Sequence, residues 1–232
     1  MSTRIDSDAV TEHTIPVSLA EPGVALIVID MQYASACRTT GFGKWLARHG
    51  RAAEGEYRFS RIEQLVVPNA GKLLAAFRAK DLSRVFVRLG SQIAGCRDLI
   101  PHIRALENDF GNMQGAREFE FLDELAPRPG EPVVTKLSAS AFSSSNIDAL
   151  LRNLGASTLV FAGVSTSQCV DLTARDAADR GYRCVIVEDA VAEDAPEFHD
   201  ATLEQFQRLF GAVMTTDEVI VALEQRVPGA KS

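Results

Sequence analysis

The sequence lacks the features that mark membrane-spanning, disulfide-rich or nucleic-acid-binding proteins. Its 232 residues include only four cysteines, at Cys37, Cys96, Cys169 and Cys184, and this is too few for a disulfide framework or a CxxC zinc site. Lys and Arg number 24 against 31 Asp and Glu, so the net charge of -7 argues against a nucleic-acid partner. No apolar run approaches the roughly 20 residues that cross a bilayer, and no membrane partner is expected.

The first 22 residues form a polar lead-in. They carry Arg4, Asp6 and Glu12 and no apolar segment of the kind found in a secretory signal. With so few cysteines, this composition predicts a cytoplasmic protein. The rest of the chain is long enough to bury one large core. We therefore expect a polar N-terminal extension over residues 1–22 and a single domain over residues 23–226.

Apolar runs typical of buried parallel strands alternate with helical patterns. The predicted strands are Val24–Ile29, Arg84–Leu89, Pro132–Thr135, Ser157–Ala162, Arg183–Val187 and Ala212–Thr215. The predicted helices are Ile62–Ala79, Ser144–Leu154, Thr166–Arg180, Pro196–Phe210 and a last helix capped by Thr216. This alternation predicts a three-layer α/β/α domain with a doubly wound, mostly parallel sheet of about six strands. Such sheets bind ligands at the carboxyl ends of their strands.

Three residues at predicted strand ends supply the groups that nucleophilic catalysis requires. Asp30 follows the first strand and Lys136 follows the third; each residue alone is ordinarily a solvated loop residue. Cys169 lies in the first turn of the helix after the fourth strand, where the helix dipole and free N–H groups favour a thiolate. The other cysteines lie in a strand or in polar segments without a helix start. Together the carboxylate, cation and thiol suit acyl transfer, with backbone N–H groups before Cys169 receiving the oxyanion.

These residues and their surroundings resemble the isochorismatase-like cysteine hydrolase superfamily, whose fold is Rossmann-like. The most specific match is Gly163–Val170 (GVSTSQCV), supported by Ala25–Gln32 (ALIVIDMQ) and by Lys136 with Ser140–Phe142. The resemblance covers about Gly23 to Leu223. The amidohydrolase branch includes nicotinamidase, N-carbamoylsarcosine amidohydrolase, ureidoacrylate amidohydrolase and the biuret and triuret hydrolases. The chain resembles the last three of these in character, and it reads most like the biuret and triuret hydrolases.

The resemblance implies a role for each of these residues. Cys169 is expected to be the nucleophile, Asp30 its base and Lys136 an orienting cation. A cis peptide bond between Val164 and Ser165 is expected to turn the amides of Ser165 and Cys169 toward the oxyanion. Residues 88–93 read RLGSQI where nicotinamidases carry Asp and His metal ligands, so neither a metal nor another cofactor is expected. The enzymes that cleave isochorismate lack the cysteine, which argues against that reaction.

The segment Gln32–Ser60 is longer than the about 2 to 6 residues usual between a strand and a helix. It is rich in arginines and aromatic residues and is predicted to hold a helix around Lys44–His49. It fits a lid or pocket wall, and it fits a subunit contact equally well. The predicted substrate contacts come from this segment and from the neighbours of the triad: Gln32, Tyr33, Lys44, Phe142 and Gln168.

The expected function is hydrolysis of the C–N bond of a small linear ureido or carbamoyl amide, of the biuret or triuret type. The reaction passes through a covalent acyl-enzyme and releases ammonia or an amine. Within enzymes, the alternatives are an amidase for another small carboxamide or for ureidoacrylate. From other classes, a non-catalytic binding module on the same fold and a thiol redox protein remain open. The expected partners are the small amide substrate and further copies of the chain, as a homodimer or homotetramer.

Overall fold

The computed structural model describes residues 16–226. Most of the predicted polar extension over residues 1–22 therefore lies outside the described residues. Six strands form one sheet: β1 (Val24–Ile29), β2 (Ser83–Leu89), β3 (Val133–Lys136), β4 (Thr158–Val164), β5 (Arg183–Ala192) and β6 (Ala212–Met214). Every helix within residues 16–226 is too short or too polar to serve as a membrane span.

The sheet is parallel throughout, with the strand order β3-β2-β1-β4-β5-β6. The chain builds outward from β1 in one direction and then from β4 in the other, so the order reverses between these two strands. Ile29 at the end of β1 pairs with Val87 of β2 and with Gly163 of β4. This confirms the predicted doubly wound α/β fold and places its ligand-binding crevice at the ends of β1 and β4.

Helices cover both faces of the sheet. They are α1 (Tyr33–Ala36), α2 (Gly41–Arg48), α3 (Glu56–Arg61), α4 (Val67–Ala79), α5 (Pro101–Phe110), α6 (Ala141–Ser144), α7 (Ile147–Asn153), α8 (Asp171–Asp179), α9 (Pro196–Leu209) and α10 (Thr216–Glu224). Leu26 and Val28 of β1 pack with α4 and α10, whereas Ile27 and Ile29 pack with α6 to α9. Alternate residues of a buried strand thus serve the two cores.

The structure corrects some predicted boundaries. The last helix is capped by Thr215 and not by Thr216: the Thr215 hydroxyl accepts from the Glu218 N–H, and the Glu218 carboxylate accepts from the Thr215 N–H. A capping box of this kind satisfies N–H groups that the first helical turn leaves free. The predicted helix around Lys44–His49 begins earlier, at Gly41. Two helices also begin through π-helical turns, Ile62–Val66 before α4 and Thr166–Val170 before α8.

Candidate active site

The structure brings the side chains of Asp30, Lys136 and Cys169 together at the carboxyl end of the sheet. Asp30 follows β1, Lys136 is the last residue of β3, and Cys169 lies in the π-helical turn after β4. Lys136 Nζ lies 2.9 Å from Asp30 Oδ2 and donates hydrogen bonds to Cys169 Sγ and to the Ser138 carbonyl oxygen, both at 3.1 Å. An ammonium group has three N–H donors, and these three acceptors use all of them. The lysine therefore holds the carboxylate and the thiol in one fixed arrangement.

Asp30 keeps one carboxylate oxygen free. Its Oδ1 is buried and has no hydrogen-bond partner within residues 16–226. The residue directly follows β1 and has a φ of 52°, while its N–H still donates to the Val87 carbonyl oxygen at 2.8 Å. A buried acceptor without a donor is costly, and such groups are concentrated at functional sites. Here the free oxygen belongs to Asp30, which lies in the same side-chain cluster as the Cys169 thiol. This oxygen is therefore the acceptor available for the thiol proton.

The electrostatics of the site keep the thiol protonated at rest. Burial raises the pKa of Cys169 to about 12; Lys136 opposes this effect and the negative Asp30 adds to it. The helix start and Lys136 favour the thiolate, whereas burial and Asp30 disfavour it and raise the pKa of the thiol. Burial alone lowers the pKa of Lys136, but Asp30 and Cys169 outweigh it, so the pKa lies above its usual value and the lysine stays charged. The thiol needs a base to lose its proton.

An arginine fixes the turn that precedes the cysteine. The Val164–Ser165 peptide bond is cis, the conformation that the resemblance implied. Arg58 of α3 is buried, and its Nη1 donates to Ser165 Oγ at 2.8 Å and to Asp194 Oδ1 at 2.9 Å. Its Nε and Nη2 donate to the Ser35 carbonyl oxygen. Arg58 thus connects the segment after β1 to the turn after β4.

A pocket of about 240 Å³ opens beside the triad and is lined by Asp30, Ser165 and Cys169. One wall is apolar and consists of Phe42, Leu89, Ile103, Leu106 and Phe110. The pocket is also lined by the charged residues Arg58 and Asp194, and by Glu107, which lies on the same helix as Ile103, Leu106 and Phe110. Pockets for drug-sized ligands begin at roughly 300 Å³, so this one suits a smaller molecule. The predicted oxyanion donors, the amides of Ser165 and Cys169, belong to residues that face the same space.

Two of the five predicted substrate contacts, Gln32 and Gln168, line the pocket. Gln32 is fully buried, and its amide is already bonded to the protein. Its Nε2 donates to the carbonyl oxygens of Leu89 and Phe119 at 2.9 Å, and its Oε1 accepts from the Leu89 N–H at 2.9 Å. The Gln32 side chain therefore supports the pocket wall, whereas Gln168 is exposed.

The other three predicted contacts lie elsewhere, which corrects their placement in the pocket. The Tyr33 ring lies under the Arg117 guanidinium, 3.8 Å from its central carbon. Lys44 lines a separate surface groove. Phe142 packs against Tyr182 in the helix layer, with ring centroids 5.9 Å apart. Position in a segment that follows a strand did not fix where these side chains lie, because each residue belongs to a helix and the helix sets the direction of its side chain.

Three charged pocket residues, Arg58, Glu107 and Asp194, are absent from the residues predicted to form the site. For Glu107 the sequence holds a signal. Ile103, Leu106 and Phe110 are apolar at the spacing of one helix face, and Glu107 falls on that same face. A carboxylate on an apolar helix face is buried at a cost and marks a site worth inspecting. For Arg58 no local pattern separates it from the other arginines of the Gln32–Ser60 segment.

Comparison with known proteins gives consistent matches over most of the chain. Residues 24–218 match the family model described as the isochorismatase domain. The ureidoacrylate amidohydrolase RutB of Pseudomonas syringae is 30% identical over 218 residues, covering 88% of this chain and 84% of the relative. Two solved structures are similar. A cysteine hydrolase from Pseudomonas syringae has a TM-score of 0.74 at 27% identity, covering 91% of this chain and 98% of its own. The N-carbamoylsarcosine amidase from Thermoplasma acidophilum has a TM-score of 0.61 at 30% identity, covering 89% of this chain and 99% of its own.

Proposed function

The chain belongs to the isochorismatase family, and on this premise we propose that it is a cysteine-dependent amidohydrolase. Its proposed substrate is a small linear ureido or carbamoyl amide of the biuret or triuret type. The observation that carries the proposal is the buried contact of Lys136 with both Asp30 and Cys169 beside a small pocket. This arrangement supplies a nucleophile, a base and an orienting cation.

In the proposed mechanism, Asp30 Oδ1 takes the proton of the Cys169 thiol. The sulfur attacks the carbonyl carbon, and the oxyanion accepts hydrogen bonds from the Ser165 and Cys169 amides. The C–N bond then breaks, and the leaving nitrogen takes the proton from Asp30. Water, deprotonated by Asp30, attacks the acyl-enzyme and releases the product with the free thiol. The charge of Lys136 stabilises Asp30 and the sulfur while the proton is away from the thiol.

A second candidate substrate is ureidoacrylate. It is favoured by a specific observation, the 30% identity to relatives that are named ureidoacrylate amidohydrolases, over 88% of this chain. Biuret and ureidoacrylate share the terminal carbamoyl group that the mechanism attacks. They differ at the remote end, which is an amide in biuret and a carboxylate in ureidoacrylate.

The test is ammonia release from biuret, triuret, ureidoacrylate, N-carbamoyl amino acids and nicotinamide. We expect release from a carbamoyl compound and at least about a thousandfold loss in Cys169→Ala, because removal of a nucleophile leaves only binding and oxyanion stabilisation. The matched control is Cys37→Ala, since Cys37 is a half-buried cysteine that does not line the pocket. Turnover retained by Cys169→Ala contradicts the mechanism. No ammonia from the whole panel favours the non-catalytic alternative.

A further inference from the structure

The mechanism leaves one buried titratable group of the pocket without a task. Helix α5 faces the pocket with Ile103, Leu106, Glu107 and Phe110, which lie on one side of the helix. Glu107 is 7% exposed and is the charged residue of this otherwise apolar wall. A carboxyl group on such a wall is costly to bury unless a partner satisfies it.

The protein satisfies only one oxygen of this carboxyl group. Glu107 Oε2 accepts from Asn112 Nδ2 at 2.7 Å, and the same Asn112 nitrogen donates to the Leu89 carbonyl oxygen at 2.9 Å. The Asn112 Oδ1 also accepts from Gln32 Nε2 at 3.3 Å, so the amide is held from both ends. Within residues 16–226, Oε1 has no hydrogen-bond partner and the carboxyl group has no ion-pair partner. The geometry therefore leaves one fixed acceptor for a ligand.

The surrounding charges favour a hydrogen-bond donor over an anion at this position. Burial raises the pKa of Glu107 to about 7; the Asn112 hydrogen bond lowers it, the nearby Asp30 adds to the rise, and Lys136 opposes it. The ionised carboxylate accepts hydrogen bonds and repels a second carboxylate; the neutral form keeps acceptor capacity but also has an O–H donor, so the comparison of substrates below applies above pH 7. Arg58, the cation that lines the pocket within residues 16–226, already pairs with Asp194 at 2.9 Å. An incoming carboxylate would meet Glu107 without a free cation to balance it.

We propose that Glu107 is a specificity-determining residue of this pocket: its free oxygen accepts an N–H from the substrate end remote from the scissile carbonyl and disfavours a carboxylate there. The substrate class is thus a carbamoyl compound with a neutral amide at its far end. The inference rests on the proposed function, since it names the substrate of that same site. It selects the biuret-type substrate over the ureidoacrylate type through both attraction and repulsion.

Three compounds test the inference with the wild-type protein. Biuret has a remote amino group, N-acetylurea has a methyl group of similar size in its place, and ureidoacrylate has a remote carboxylate. We expect kcat/KM for ammonia release to be at least about tenfold higher for biuret than for either of the others, because a site built to accept an N–H rejects an analogue that lacks it. This comparison requires no variant. Equal values for biuret and N-acetylurea, or a preference for ureidoacrylate, overturn the inference.

The variant Glu107→Gln then reverses the chemistry at one atom. Its side-chain oxygen can keep the Asn112 hydrogen bond, which leaves an NH₂ donor where the acceptor stood. We expect kcat/KM to fall about tenfold or more for biuret and to rise for ureidoacrylate. The ratio of the two kcat/KM values should therefore reverse from a preference for biuret to a preference for ureidoacrylate. The matched control is Asp109→Asn, which removes one negative charge from the exposed side of the same helix and is expected to leave the ratio unchanged.

The outcomes separate this inference from the proposed function. If wild type hydrolyses carbamoyl compounds through Cys169 but Glu107→Gln keeps the wild-type ratio, the inference is overturned and the amidohydrolase function stands. If wild type releases no ammonia from these three compounds or from the rest of the panel described above, the proposed function is overturned and the inference with it. If Asp109→Asn shifts the ratio as much as Glu107→Gln does, a general charge effect replaces the specific role of Glu107.

Discussion

Replacing Lys136 with methionine tests whether the buried cation holds the active site together. The lysine side chain is 0% exposed and that of Asp30 is 5% exposed, so neither charge has water as an alternative partner. In Lys136→Met the Asp30 carboxylate stays buried, with Oδ2 newly unpaired and Oδ1 already without a partner. Removing one half of a buried ion pair costs about 3–5 kcal/mol, and methionine is long enough to fill most of the lysine stem. Of a total stability of about 5–15 kcal/mol, this loss is a large fraction.

Urea unfolding followed by circular dichroism measures this effect through the midpoint at unchanged m value. The double variant Lys136→Met/Asp30→Asn should recover much of the loss, because it removes the unpaired buried charge. Together with the single variant Asp30→Asn it completes a double-mutant cycle, which gives the interaction free energy between Lys136 and Asp30. The control Lys80→Met removes an exposed lysine and should stay within about 0.5 kcal/mol of wild type. A loss below about 1 kcal/mol in Lys136→Met, or no recovery in the double variant, would refute the reasoning.

Three further predictions concern residues around the site. Arg58→Lys keeps a charge beside Asp194 but loses the planar fork, so we expect about tenfold lower kcat/KM with an intact fold; unchanged ammonia release would contradict this. In Gly163→Ala the new Cβ would lie 1.9 Å from the Ile29 carbonyl oxygen at a φ of 123°, and we expect a loss of about 3 kcal/mol or more. A melting temperature within about 2 °C of wild type would argue against it. Burial and a neighbouring arginine lower the pKa of His199 from 6.5 to about 4, so its stabilising contribution is complete above pH 6.5 and is lost as the pH falls toward 4. In His199→Gln the stability should fall less between pH 7 and pH 4, and urea midpoints at several pH values in this range measure the difference. Equal dependence of the midpoint on pH in the variant and in wild type would speak against this prediction.

The fold could be predicted from sequence because the central strands are largely apolar runs: β1 reads VALIVI and β4 reads TLVFAGV. Prediction failed where polar residues interrupt such a run. The strand predicted as Arg183–Val187 continues through Glu188 and Asp189 to Ala192. Side chains of other elements bond to this extension: Arg61 donates to the Glu188 carbonyl oxygen and Asn69 to the Asp189 carbonyl oxygen. The Asp189 carboxylate accepts hydrogen bonds from the N–H and hydroxyl of Thr216 at 2.8 and 2.7 Å. A local pattern cannot show a partner that lies on another element.

For the candidate site, too, one part could be predicted from the sequence and another part could not. Asp30, Lys136 and Cys169 could be predicted because a parallel sheet collects the residues at its strand ends, whatever their distance in sequence. The pocket walls could not, because they depend on how helices pack above that edge. Arg58 and Glu107 reach the pocket from helices that the sheet does not position. The burial of these two side chains depends on how their helices pack. The type of side chain in the sequence does not reveal that packing directly.

The position of Lys136 on an edge strand has a consequence for how the protein loses activity. β3 has four residues and pairs on one side only, with β2, so backbone hydrogen bonds hold it in the sheet less firmly than they hold a central strand. Short edge segments open by themselves more readily than whole domains unfold. Each such opening withdraws the ammonium group from Asp30 and Cys169 while the central strands stay paired. Heat should therefore inactivate the protein before it removes the helical signal, and amide exchange in β3 should track the onset of inactivation.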